Sequence, residues 1–218
     1  MKKVGVILAG CGNRDGAEIR EAVFTLLALD KLGAEAVIMA PNINQHHVVS
    51  HISGNELRET RNILEESARI ARGNIHDITK VLSETLDALI LPGGYGVAKN
   101  LCGFAFDGSK AMVIPEVKAM VNQIHNQKKP IGAICIAPAL IALLLGHEHI
   151  KITIGNDKES AQEIEKTGAI HITCPVDQIC TDQSAKIVTT PAYMYSDAKL
   201  NELYLGIEKC VAQVLAWA

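Results

Sequence analysis

No apolar run in this chain approaches the roughly eighteen residues a membrane-spanning helix needs, so no helical membrane protein is expected. No cysteine pair has the C-x-x-C spacing of a zinc site or a dithiol centre, and the six cysteines follow no regular spacing. Neither sign of charge dominates. The chain has 21 Lys and Arg against 24 Asp and Glu, a net charge of -3. That balance argues against nucleic acid and against an anionic membrane surface as partners. Internal repeats, low-complexity tracts and linkers are also missing. The 218 residues therefore read as one domain, residues 1–218, long enough to bury a sizeable core. Met1-Lys2-Lys3 and the apolar strand after it have the outline of a secretory signal. The apolar part is short, however, and runs into Gly10-Cys11-Gly12-Asn13-Arg14-Asp15. No signal peptide is expected, and the cysteines read as reduced thiols of a cytoplasmic protein.

The stretch around which the chain is organised is Pro130-Ile131-Gly132-Ala133-Ile134-Cys135-Ile136-Ala137-Pro138-Ala139-Leu140. It reads as a buried strand, a sharp turn with Cys135 at its apex, and a helix. This is the pattern of a nucleophile elbow, where strand and helix backbones nearly touch and small residues must flank the reactive one. Ala133 and Ala137 meet that need. A cysteine just before a helix N-terminus is expected to favour thiolate. The backbone N–H of Ile136 is expected to face an oxyanion. The plainer reading is an inert buried thiol.

A second informative stretch is Leu86-Asp87-Ala88-Leu89-Ile90-Leu91-Pro92-Gly93-Gly94. It is a buried strand whose carboxyl end carries two glycines, which let backbone N–H groups approach a ligand closely. The Gly94 N–H is the candidate second oxyanion donor. Val4 to Ala9 is a further buried strand, followed by a glycine loop and a helix from about Ala17 to Leu32 that ends at Gly33. Glu18 reads as an ordinary acidic residue at a helix start. Glu21 should lie near the carboxyl ends of the strands, where open α/β sheets place their sites, and can meet Cys135 there.

The glycines after the first strand miss the G-x-G-x-x-G spacing, and no acidic residue closes the next strand, so no dinucleotide is expected. Residues 41–81 form a long excursion. His47 and His51 within it are four apart, a spacing that two ligands on one helix would have, but no third ligand is evident and no metal is expected. A helix is expected from about Leu57 to Arg72. Beyond the elbow, strands are expected at Lys151–Gly155, Ile170–Thr173, Gln178–Thr181 and Lys186–Thr190. Helices are expected at Lys158–Thr167 and Lys199–Trp217. Strands alternating with helices imply an α/β fold with a doubly wound, mostly parallel sheet flanked by helices, of flavodoxin-like type.

Together these motifs resemble the PfpI-like superfamily of class I glutamine-amidotransferase-like folds. They are more closely similar to its ElbB group, described as glyoxalases linked to isoprenoid biosynthesis. The resemblance runs through Lys3-Val4-Gly5-Val6-Ile7-Leu8-Ala9-Gly10-Cys11-Gly12, Glu56-x-x-Glu59-Thr60-Arg61-Asn62, Ala98-Lys99-Asn100, Cys135-Ile136-Ala137-Pro138 and Ile187-Val188-Thr189-Thr190-Pro191-Ala192-Tyr193-Met194. It implies Cys135 as nucleophile, Glu21 as its contacting glutamate, Gly94 and Ile136 as oxyanion donors, and a homodimer. The departure concerns histidine. Hydrolytic relatives place His directly after the cysteine, where this chain has Ile136. Amidotransferases carry a late His-x-Glu that is missing here. His171 is the least poor substitute. A Cys-His-acid triad is therefore not expected.

A cysteine and a glutamate without histidine suit one chemistry. This is cofactor-independent conversion of a 2-oxoaldehyde (glyoxal or methylglyoxal) to a 2-hydroxy acid through a cysteine hemithioacetal. The rival is a redox-sensing or regulatory binding protein built on the same thiol. An amidotransferase subunit is third.

Overall fold

Val4, Val6 and Leu8 join one hydrophobic core while Ile7 and Ala9 join the other. This alternation is what a strand buried on both faces requires. They belong to β1 (Lys3–Ile7) and the turn after it, at the centre of a computed structural model that describes residues 1–218. In chain order there follow α1 (Ile19–Lys31), β2 (Glu35–Ala40), β3 (Val48–Val49), β4 (Glu56–Leu57), α2 (Ile63–Ile70), β5 (His76–Asp77) and β6 (Ala88–Leu91). Next come α3 (Phe104–Asp107), α4 (Pro115–Asn126), β7 (Ile131–Ile134), α5 (Ala137–Leu145), β8 (Lys151–Ile152), α6 (Lys158–Lys166), β9 (Ile170–His171), β10 (Cys180–Asp182), β11 (Ile187–Thr190) and α7 (Leu200–Trp217).

The main sheet has seven strands in the order β10-β11-β7-β6-β1-β2-β5. All neighbours are parallel except β10, which runs antiparallel to β11. Helices α1 and α7 cover one face, through Ala22, Ala28 and Leu29 on α1 and Leu203, Ile207, Val211 and Val214 on α7. Helices α4 and α5 cover the other, through Val117, Val121 and Ile124 on α4 and Leu140, Ile141 and Leu145 on α5. The expected flavodoxin-like α/β architecture is therefore present. From β1 the chain goes to β2 on one side and later to β6 on the other. That reversal opens a crevice at the carboxyl ends of β1 and β6, and sheets of this kind bind their ligands there.

Two local expectations differ from the structure. The helix foreseen from Leu57 begins only at Ile63, because Leu57 pairs with Val48 in the β3–β4 hairpin and Asn62 caps the helix by accepting the Glu65 N–H at 3.1 Å. The strand foreseen at Lys151–Gly155 stops after Ile152 and pairs with β9 outside the main sheet. Thr153 then donates its N–H to Thr189 Oγ1 at 2.9 Å, and its own hydroxyl accepts the Gly155 N–H, so side chains take the ladder's place. The excursion at residues 41–81 includes β5, which forms the far edge of the main sheet beside β2.

Candidate functional site

Cys135 sits between β7 and α5 with φ of 62°, a left-handed conformation that costs strain in a non-glycine residue. Its N–H donates to the Thr190 carbonyl at 2.9 Å, fixing the turn to the end of β11. Ala133 and Ala137, the small flanking residues, are fully buried. Pro138 stands in the first turn of α5, where its missing N–H costs nothing. The Cys135 thiol is 7% exposed.

Glu21 reaches the same point from α1 and is fully buried. Its Oε2 accepts the Gly93 N–H at 3.0 Å, and its Oε1 accepts the Tyr193 N–H at 3.1 Å. Its own backbone N–H is capped by Glu18 Oε2 at 2.7 Å, so Glu18, expected only as an acidic residue at the helix start, is the helix cap. Burial pushes the Glu21 carboxyl up to about 8, and the nearby Glu18 charge adds to that; the two backbone donors and the Cys135 contact pull it back. Burial also pushes the Cys135 thiol well above its ordinary value, with the Glu21 charge adding to the effect. The helix N-terminus therefore does not yield a standing thiolate, as the elbow alone implied. Desolvation and a neighbouring carboxyl outweigh it, and the two groups titrate as a pair.

The N–H groups of Gly94 and Ile136 both face the Cys135 sulfur and favour its charged form. Neither is taken by a carbonyl or carboxylate. All four residues singled out in the sequence, Cys135, Glu21, Gly94 and Ile136, thus converge. Gly93 is what lets them do so. A Cβ there would stand 2.5 Å from Cys135 Cβ and 2.6 Å from Glu21 Oε2. The glycine loop after β1 serves close packing as well: a Cβ on Gly96 would lie 2.5 Å from Gly16 Cα, and Gly96 donates to the Gly16 carbonyl at 2.9 Å.

Asn100 ties this corner together. Its side-chain amide donates to the carbonyls of Ala9 at 3.0 Å and Asp15 at 2.8 Å, and its Oδ1 accepts the His46 N–H at 2.9 Å. One buried side chain joins the loop after β1 to the β3–β4 segment. The residue lies in a single π-type turn, Val97–Leu101.

His47 and His51 face different partners. His47 Nε2 is 3.2 Å from Lys99 Nζ. His51 Nδ1 lies 3.1 Å from the Val49 carbonyl, while its Nε2 accepts the Arg14 N–H at 3.3 Å. His171 accepts the Ile154 N–H at 3.3 Å and does not reach Cys135's cavity.

That cavity measures about 800 Å³. Besides Cys135 and Ile136 it is lined by Arg20, His51, Tyr193 and Asp157, none of which the sequence analysis assigned to the site. Arg20 Nη1 donates to the Tyr193 hydroxyl at 2.7 Å, joining two residues of its lining. The sequence signal for Tyr193 was its place just after a buried strand, within Pro191-Ala192-Tyr193-Met194; His51 carried none, because a loop brings it there.

No protein-family model matches the chain. A human glutamine amidotransferase-like class 1 domain-containing protein 3, mitochondrial, is 42% identical over 98% of this chain and 82% of its own length. A rat ES1 protein homolog, mitochondrial, is 40% identical over 98% of this chain and 83% of its own length. The crystal structure of an isoprenoid biosynthesis protein with amidotransferase-like domain from Ehrlichia chaffeensis is 44% identical and superposes with a TM-score of 0.93, covering 100% of this chain and 99% of that one. No helix is long and apolar enough to cross a membrane.

Proposed function

We propose, on the premise that the chain belongs to the family of ES1 and glutamine amidotransferase-like class 1 domain-containing proteins, that it is a cofactor-independent glyoxalase acting on 2-oxoaldehydes. The observation that carries the reading is the buried Cys135–Glu21 pair. Its carboxyl is held by two backbone N–H groups, and its sulfur faces two more.

The chemistry follows from that arrangement. Cys135 sulfur bonds to the aldehyde carbon while its proton passes to the Glu21 carboxylate. The aldehyde oxygen takes up the negative charge beside the Gly94 and Ile136 N–H groups, then receives the proton, which completes the hemithioacetal. Glu21 next removes the hydrogen of that carbon as a proton and returns a proton to the neighbouring carbon through an enediol, leaving a thioester on Cys135. Water cleaves the thioester, releasing the 2-hydroxy acid and restoring the thiol. No electron acceptor is needed, because one carbon is oxidised as its neighbour is reduced. A carboxyl group at about 8 both gives and takes protons near neutral pH, which efficient general acid–base catalysis requires.

The raised thiol and its 7% exposure weigh against the oxidant-sensor reading, since oxidation follows thiolate character and access. An amidotransferase would need an imidazole to activate the thiol. His51 lines the cavity, but both its ring nitrogens face backbone groups. We place the protein in the cytoplasm as a homodimer, the latter in keeping with the exposed Ile19, Val23 and Leu27 along α1. The deciding experiment is glutathione-free turnover of methylglyoxal to lactate by the protein and by Cys135→Ala. Turnover that vanishes in the variant supports the reading; turnover absent from both, or equal in both, removes it.

A further inference from the structure

A second cavity of about 740 Å³ lies beside the one over Cys135, and the two share Tyr95, Ile136 and Ser160 as walls. Ile136 stands between them. Its N–H faces the Cys135 sulfur, and its half-buried side chain borders both spaces. A molecule bonded to Cys135 needs only to cross that side chain to enter the second space.

The second cavity is lined by rings. The chain has three phenylalanines, and two of them, Phe104 and Phe106, line it together with Tyr95, Ala98 and Ala105. Phe106 remains 52% exposed although His46 lies against it at 4.5 Å between ring centroids. Tyr95 remains 57% exposed. Two exposed rings bordering one hollow are costly to leave in water, and they offer the faces and edges that another ring packs against.

Size points the same way. Cavities of about 300–1,000 Å³ suit drug-sized ligands, so the three carbons of methylglyoxal would leave even the space of about 800 Å³ over Cys135 largely empty. Charge narrows the ligand further. Asp107 and Glu159 line the second cavity with Lys110, whereas Glu163 is already tied to Ser109 and Lys166. A carboxylate or phosphate tail would be repelled by these carboxylates; a neutral group would not.

We propose that the second cavity binds a neutral aromatic substituent of the substrate, so that the enzyme's preferred class is aryl 2-oxoaldehydes, converted to aryl 2-hydroxy acids by the same chemistry. This rests on the glyoxalase reading for turnover but not for binding. The test compares the protein with Ala105→Trp, whose indole would take up ring-sized space in the second cavity, on phenylglyoxal and methylglyoxal. The ratio of kcat/KM for the phenyl over the methyl compound is expected to fall at least tenfold; an unmoved ratio overturns the assignment. Phe106→Ala, measured alongside in case the larger side chain disturbs α3, is expected to lower the ratio about threefold. Acetophenone keeps the ring and one carbonyl but has no aldehyde. It is titrated into Cys135→Ala and into Cys135→Ala with Ala105→Trp, and ligand-observed NMR reads binding. Binding to the first and its loss in the second is the expected result. If neither aldehyde is turned over while acetophenone behaves in this way, the glyoxalase reading fails and the ring-binding cavity stands. If methylglyoxal is turned over while acetophenone does not bind, the cavity assignment fails and the glyoxalase reading stands.

Discussion

Tyr193 donates its backbone N–H to Glu21 Oε1 at 3.1 Å, although the two residues lie 172 positions apart. The carboxyl that faces the reactive sulfur is thus gripped from the end of the last sheet strand. Its other oxygen is held from the end of β6 by Gly93. Orientation of the proton shuttle depends on both ends being in place.

Replacing Glu21 by Gln should lower kcat for methylglyoxal at least a hundredfold, because an amide cannot carry the proton. The amide keeps one acceptor oxygen, so one of the two N–H groups would face an NH2 donor. A stability loss of about 1–3 kcal/mol is expected, the usual cost of an unpaired buried donor. Steady-state kinetics and urea unfolding check the two effects separately.

The pH dependence of stability follows from the same carboxyl. Its folded value of about 8 lies above the ordinary carboxyl value of 4.5, so the folded chain holds a proton that the unfolded chain releases. That contribution is fully present below pH of about 4.5 and is lost as pH rises to about 8, on the order of several kcal/mol in all. Wild-type Tm should fall across this window relative to Glu21→Gln. Parallel Tm curves for the two proteins would contradict the assigned shift.

Gly93→Ala should abolish turnover and destabilise the fold by about 2–4 kcal/mol, since the new methyl meets Cys135 Cβ, Glu21 Oε2 and the Ile134 carbonyl at once. Gly73→Ala provides the contrast. Its φ is 81° and nothing lies within 4 Å of the added carbon, so only backbone strain of about 1 kcal/mol is expected, with activity unchanged.

Asn100→Ala leaves the Ala9 and Asp15 carbonyls and the His46 N–H without their buried partner. A loss of about 2–4 kcal/mol is expected. Hydrogen exchange should quicken in residues 42–57, and kcat/KM should fall as the loop after β1 loosens. Exchange confined to other segments would refute the role given to this side chain.

Much of this architecture could be read from the sequence because the local signals agreed. Continuous apolar strands, glycine stops and the elbow at Cys135 all pointed to a doubly wound sheet. Glu21 was legible because a helix after the first strand must place its first turn at the ligand-binding end. What escaped did so for separate physical reasons. The donors to Glu21 are backbone N–H groups of Gly93 and Tyr193, and a backbone N–H leaves no trace in residue type. His51 reaches the cavity through a hairpin whose strands have two residues each, too short to show a period. Strand β8 ended early because the Thr153 backbone N–H donates to the Thr189 hydroxyl, a partner 36 positions away, rather than to a strand carbonyl.

Five of the six cysteines are buried, and only Cys11 is partly open. The native chain should therefore offer alkylating reagents two sulfurs, Cys11 at the surface and Cys135 through its cavity, whereas the unfolded chain offers all six. Mass added during a brief pulse of iodoacetamide then counts folded and unfolded molecules directly, with no dye or tag. The concealment of the other four, Cys102, Cys174, Cys180 and Cys210, makes the protein a carrier of its own folding clock.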